Sequence, residues 1–229
     1  MNDILIGLLS IFVTIIVFFA SKWLNNKYPH PLTIPILIST IIIVIGLLVF
    51  NIAYETYFIG GQWIDHLLGP AVVALAFPLY QQRFTLKKNA IPIIIGVSFG
   101  SIIGVASGFI MGKWLALDPL IISSLLPKSV TSPVAMDIAH TVGGSPALAA
   151  VLVMIAGIGG AVMGPSLLKW VHVNHYLAKG VGMGSASHAI GTAKAMESDV
   201  KAGAVSTVAM VLSAIIVSII TPLLVIFFM

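Results

Sequence analysis

The chain has 229 residues, 59% of them hydrophobic and 8% charged, with a formal net charge of +4 and no cysteine. A soluble domain carries roughly 25% charged residues, and a chain this short cannot hide so much apolar surface from water. A water-soluble fold is excluded, as are disulfides and cysteine-ligated metals, and a modest charge spread over short loops gives no reason to expect nucleic acid.

Residues 4–20 and 34–50 are uninterrupted apolar runs close to the roughly 20 residues that a bilayer core demands. The first lacks a basic start and a good cleavage site, so it reads as a retained helix rather than a leader. Membrane segments are expected near 4–21, 32–50, 66–82, 90–111, 119–139, 146–168, 179–196 and 203–227, an all-α polytopic protein of about seven to eight segments in one domain spanning residues 1–229. Loops 21–31 (Lys22, Lys27) and 83–89 (Arg83, Lys87, Lys88) are basic, whereas 51–65 reads as a connecting loop without Lys or Arg. The positive-inside rule puts the two basic loops in the cytoplasm. Counting every later segment as a full crossing leaves Lys169 and Lys179 outside. The mismatch disappears if residues 119–145 enter and return on one side.

Local chemistry points the same way. Ser132-Pro133 and Ser145-Pro146 each read as serine at an N-cap followed by proline in the first turn, and Gly143-Gly144 interrupts the helix between them. The expected order is a short helix ending near Pro127, an unwound piece through 128–132, a half-helix over 133–141, a glycine break, and a new helix from Pro146. The stretch 180–195, GVGMGSASHAIGTAKA, is rich in small residues. It reads either as a tight helix interface or as a second interrupted segment across a cavity from the first. Gly184 and Gly191 are its expected close-packing positions. A faint echo links Gly69-Pro70-Ala71 to Gly184-Ser185-Ala186.

Lys128 is the residue that composition least explains. An ionisable group in a spanning segment costs roughly 2.5–3.5 kcal/mol on insertion scales and marks a functional site unless it snorkels to the interface. Ser129, Thr131 and Ser132 add hydroxyls, and a helix start at Ser132-Pro133 aims free N–H groups at the same place. Together these make an anion site. Ser187, His188 and Thr192 are the substrate-contact candidates on the opposite wall, with packing as the plainer reading for His188. Asp137, His140 and Glu197 are candidates for coupling or charge pairing, although Glu197 with Asp199 and Lys201 also reads as a solvated turn. Ser187-His188 lacks G-x-S-x-G and an orienting acid, and His172/His175 lack a third metal ligand. Neither an enzyme nor a cofactor is expected.

The stretches LLGPAVVALAFPLY (67–80), PKSVTSPVAM (127–136), GGSPALAAVLVMIAGIGGAVMGP (143–165) and SHAIGTAKAME (187–197) resemble the LrgB/CidB family over nearly the whole chain. The resemblance implies a multi-pass protein of a bacterial plasma membrane, working with a small LrgA/CidA-type membrane partner as a homo- or hetero-oligomer. It also implies a fold related to antiporter and bile-acid-symporter repeats. Two functions follow from it. One is antiholin-like control of murein hydrolases, autolysis and programmed cell death. The other is proton- or sodium-coupled transport of small monocarboxylates, as in plastid glycolate/glycerate and bacterial two-component pyruvate carriers.

Overall fold

In the computed structural model of the protein, which describes residues 3–28, 33–67, 70, 73–74 and 76–228, the chain forms two compact units, Met1–Ala76 and Phe77–Met229. Every regular element among the described residues is an α-helix. The first unit contains α1 (Asp3–Lys27), α2 (Pro35–Val49) and α3 (Tyr54–Asp65). Helix α3 corrects the expectation of a loop over 51–65. Its Gly60-Gly61 pair weakens the local helix signal, since glycine costs about 1 kcal/mol in a helix interior. Yet Gly60 lies against the backbone of Gly7 on α1, where a side chain would not fit. A hydrogen bond of 2.8 Å between the Thr14 and Tyr57 hydroxyls joins the same two helices.

The boundary falls at the first residue of α4 (Ala76–Gln81), and the second unit holds the rest of it with α5 (Arg83–Lys88), α6 (Ala90–Trp114), α7 (Pro119–Leu125), α8 (Ser132–Thr141), α9 (Pro146–Trp170), α10 (Tyr176–Ser198) and α11 (Val200–Phe228). Of the segment expected over 66–82, residues 68–69, 71–72 and 75 lie outside the described residues, among them most of the first member of the proposed echo, and α4 covers its last part. Helices α1, α6, α9 and α11 are the ones among the described residues long and apolar enough to cross a membrane, and α2 is apolar but only 15 residues long. Large apolar side chains such as Phe99, Ile103, Ile155 and Ile219 stay exposed on these helices, as a lipid-facing surface requires. The protein is a multi-pass membrane protein.

Neither α7–α8 nor α10 is a plain crossing. Along α6, Gly112 meets Ile122, Gly108 meets Leu125 and Lys128, and Gly104 meets Ser129, so the chain descends antiparallel to α6. After the turn over 126–130, α8 brings it back. Gly144 packs on Ser123 and Ser124, and the Ser145 N–H donates to Ser124 Oγ at 2.8 Å. Residues 119–145 therefore double back as a hairpin that starts at the Trp114 end of α6.

Helix α10 reverses as well. Its backbone leaves helical geometry at Ser187 (φ −131°, ψ 15°) and His188 (φ 41°, ψ −134°). Before this point Gly180 and Gly184 meet Ala202 and Ser206 of α11, a parallel register. After it Thr192 bonds Ser206 and Met196 meets Gly203, an antiparallel one. This second hairpin starts from the Ala90 end of α6, where Gly96 meets Val181 and Gly100 meets Ser185. Ser185 and Ser129 thus lie one helical turn apart along the same face of α6, about 6 Å, near its midpoint.

Packing in lipid gains nothing from expelling water, so close approach and polar bonds hold the helices together. Val105, Ile122, Leu126, Val130, Ala135, Ile138, Val153 and Val217, from α6, the first hairpin, α9 and α11, form one buried cluster around the first tip. Two buried hydroxyl pairs, Ser101–Ser213 at 3.0 Å and Thr192–Ser206 at 2.9 Å, tie α6 and α10 to α11. Each is worth about 0.6–2 kcal/mol.

The hairpin geometry can be checked by labelling single cysteines, which the native chain lacks. Ala116→Cys and Thr141→Cys are expected to react with an impermeant maleimide from the same side of the membrane, and Val171→Cys from the other. Labelling of 116 and 141 from opposite sides would mean that 119–141 crosses the membrane.

Candidate functional site at two helix breaks

The first break is made by sequence features that oppose a continuous helix. Pro127 is fully buried at the end of α7, and the chain passes through a turn in which Lys128 N–H bonds Leu125 O and Val130 N–H bonds Pro127 O. The N-cap of α8 is Thr131 (φ −66°, ψ 148°), one residue earlier than the expected Ser132. Ser132 has already entered the helix, with exposed Pro133 in its first turn. No side chain caps this helix start, so its first N–H groups and the positive end of its dipole stay open toward the break. At α9 the expectation holds as written, with Ser145 Oγ accepting from Leu148 N–H at 3.4 Å. Gly143 makes the preceding turn at φ 78°, a conformation that suits glycine, and Gly144 seats it on α7.

Lys128 is half-buried at the tip and faces Gly108 of α6. It has no carboxylate partner. All seven Asp and Glu side chains of the chain are exposed, and the only ion pair among the described residues is Lys194–Glu197 at 3.0 Å. Beside it Ser129 is 5% exposed, and its Oγ has no hydrogen-bond partner among the described residues. A cation without a counter-ion, a buried hydroxyl without a partner and an uncapped helix start therefore share one tip.

The pairing expectations for the acidic residues do not hold. Asp137 and His140 are exposed on α8 and pair neither with each other nor with Lys128. The cause is helical phase: Ala135, Ile138 and Ala139 occupy the buried face, which turns Met136, Asp137 and His140 outward. Glu197 forms the exposed i, i+3 pair with Lys194, a contact of the kind worth at most about 1 kcal/mol.

The second break is built differently. Ser187 (1% exposed) and His188 (3% exposed) press against α9, where a Cβ on Gly160 would overlap Ser187 and one on Gly157 would overlap the His188 ring. His188 Nε2 lies 3.0 Å from Val153 O. A carbonyl only accepts, so Nε2 carries the proton and Nδ1 is the atom left for another partner. A left-handed φ at a non-glycine residue costs about 1–3 kcal/mol and persists only where surroundings impose it, here the α9 glycines. Gly191 packs back on Met183 and Ser187, and Gly184 on Ser206, so both are close-packing positions. Thr192 turns to α11. Of the sequence-derived candidates, Lys128, Ser129, Thr131 and Ser132 share one tip, whereas Ser187, His188 and Thr192 contact α9 and α11. The residues that bridge the tips, Gly100, Gly104 and Gly108 of α6 with Ser185 of α10, were missed. Their signal was a glycine at every fourth position from Gly96 to Gly112, the small-residue spacing of close helix contact.

Long apolar helices that hold two opposed helical hairpins define a multi-pass membrane protein with broken helices. The chain matches the LrgB-like family over residues 14–227. It is 44% identical over 225 residues to the uncharacterized protein YxaC of Bacillus subtilis (strain 168), covering 98% of each chain. It is 37% identical over 228 residues to the holin-like protein CidB of Staphylococcus aureus (strain N315), and equally to that of Staphylococcus epidermidis (strain ATCC 12228 / FDA PCI 1200), each over the full length of both chains. No solved structure matches it. The chain belongs to the LrgB-like family and is a membrane protein of the holin-like kind.

Replacing Ser129 by alanine removes a buried hydroxyl that has no partner among the described residues. The detergent-solubilised variant is expected to be as stable as the parent or up to about 1 kcal/mol more so in thermal denaturation. A loss of more than that would mean that Ser129 bonds within the protein.

Proposed function

We propose that this protein carries small monocarboxylates of the pyruvate and glycolate type across a bacterial plasma membrane, with Lys128 as the anion-binding cation. The observation that supports this most is the lone Lys128 beside unpartnered Ser129 and the uncapped start of α8. An exchangeable carboxylate satisfies all three, with its charge on Lys128 and hydrogen bonds from Ser129, Thr131, Ser132 and the helix N–H groups. Pore formation by a holin needs apolar helices that associate and has no use for such a group.

The two hairpins fit a carrier built from an inverted repeat. Helices α6 and α9 are both 25 residues long and both end in Lys-Trp, and the hairpins Pro119–Thr141 and Tyr176–Ser198 are both 23 residues long. Positive φ recurs at equivalent turn residues, Ala116 (51°) and His172 (59°). The opposed orientation of this repeat also disposes of the charge mismatch: Lys87, Lys88, Lys169, Lys179 and Lys201 gather at the Ala90 end, and Lys113 stands at the other. The positive-inside rule then puts the Ala90 end in the cytoplasm. Ser187 and His188 at the second tip, with Thr192 on the limb that follows, are the residues for coupling to protons or sodium, and an LrgA/CidA-type small membrane protein completes the assembly.

The printed names of the staphylococcal relatives favour a second reading, a holin-like role in lysis. Uptake of labelled pyruvate and glycolate into proteoliposomes, with and without the small partner, separates the two. Lys128→Ala is expected to insert normally and to cut uptake at least about thirtyfold, the equivalent of ~2 kcal/mol for one lost charged contact. Parental flux in the variant would remove Lys128 from the site. Release of entrapped dye without acid uptake would favour the pore.

A further inference from the structure

We infer that Gly104 and Gly108 of α6 form the floor on which the carboxylate lies and set the size of acid accepted, an inference that rests on the transport reading above. Glycine is a poor helix former, so five at every fourth position of one helix need a reason. At the ends of the row that reason is packing. A Cβ at Gly112 would stand 2.9 Å from the Ile122 side chain, and one at Gly96 would stand 3.1 Å from Val181. At Gly104 packing gives no reason, because a Cβ there would meet only Ser129 Oγ at 3.8 Å among the described residues, an ordinary contact. At Gly108 the near neighbour is Lys128 Nζ at 3.0 Å, the free end of a flexible chain that can step aside, with Leu125 Cγ next at 4.0 Å.

The other half of the unit supplies an internal comparison. Residues of α6 and α9 correspond at a separation of 56 positions, 90 with 146 and 114 with 170, so Gly104 and Gly108 correspond to Gly160 and Gly164. There the glycine floor is filled by the protein's own second tip: Ser187 presses on Gly160, and Met183 Sδ stands 2.7 Å from a Cβ at Gly164. At Gly104 the first tip stands farther off, with Ser129 Oγ 3.8 Å from the Cβ position, and it turns toward α6 a flexible cation and a hydroxyl that is buried and unpartnered among the described residues. A carboxylate oxygen bonded to Ser129 Oγ and Lys128 Nζ lies against the Cβ-free face of α6 beside them. A methyl group at either position would crowd the carboxylate and its first substituent, so the glycine pair favours small 2-oxo and 2-hydroxy acids.

The test compares full-length Gly104→Ala and Gly108→Ala with the parent in proteoliposomes, with pyruvate and glycolate as substrates. Gly159→Ala serves as control, since no neighbouring element among the described residues comes within 4 Å of its Cβ position. Both site variants are expected to keep the parental melting temperature and to raise KM for pyruvate about tenfold, the scale on which one methyl group discriminates. The rise for the smaller glycolate should be less, and the control should match the parent. Parental KM values for both acids in both variants would overturn the inference while Lys128→Ala still abolished uptake. A lowered melting temperature in Gly104→Ala would overturn it too, by showing that the position is packed. Parental flux in Lys128→Ala would instead bring down the transport reading beneath it.

Discussion

The rest of this structure depends on the cost of leaving a peptide group unbonded in hydrocarbon. A helix meets the cost by itself, so a helix broken at membrane depth must find partners in neighbouring helices or in a polar cavity. The second unit breaks helices twice and answers the cost in two ways. At Ser187-His188 the break is pressed into the α9 glycines and tied to Val153 O, so it is closed by protein. At 127–131 the break is flanked by packed apolar side chains, yet its cation, one hydroxyl and a helix start have no partners among the described residues. Two breaks of similar placement thus have opposite chemical character, one satisfied by the chain and one with polar groups left unpaired among the described residues.

The glycines make both answers possible. They bring helix backbones together where a Cβ would collide, as at Gly184 against Ser206, and they leave room where nothing collides, as at Gly104. Hydroxyl pairs supply the polar contacts that a lipid solvent cannot, and their placement between α6, α10 and α11 keeps the three helices in one register. Charged pairs contribute little here, since the one ion pair among the described residues is exposed.

The first hairpin was legible in the sequence because each of its turns is made by residues with strong local rules: Pro127, Ser-Pro twice, and Gly143-Gly144. The extent of the second was not. Segment 180–195 contains no proline, and its reversal is imposed by glycines on α9, a distant part of the chain. Helix α3 was missed for a related reason, since a glycine that weakens a helix locally is what lets it pack on α1. The outward turn of Asp137 and His140 could be decided only by knowing which face of α8 is buried. Lys128 was legible as an oddity, whereas its lack of a counter-ion needed the positions of all seven carboxylates.

The shortness of α7 and α8 has a consequence for how the protein is made. With 7 and 10 residues, neither reaches across a bilayer, and the polar turn between them has no shelter until α6, α9 and α11 stand around it. The hairpin cannot be a stable intermediate of insertion by itself. It must wait near the headgroups during synthesis and settle after the flanking spans have crossed, so assembly of the interior follows insertion instead of accompanying it.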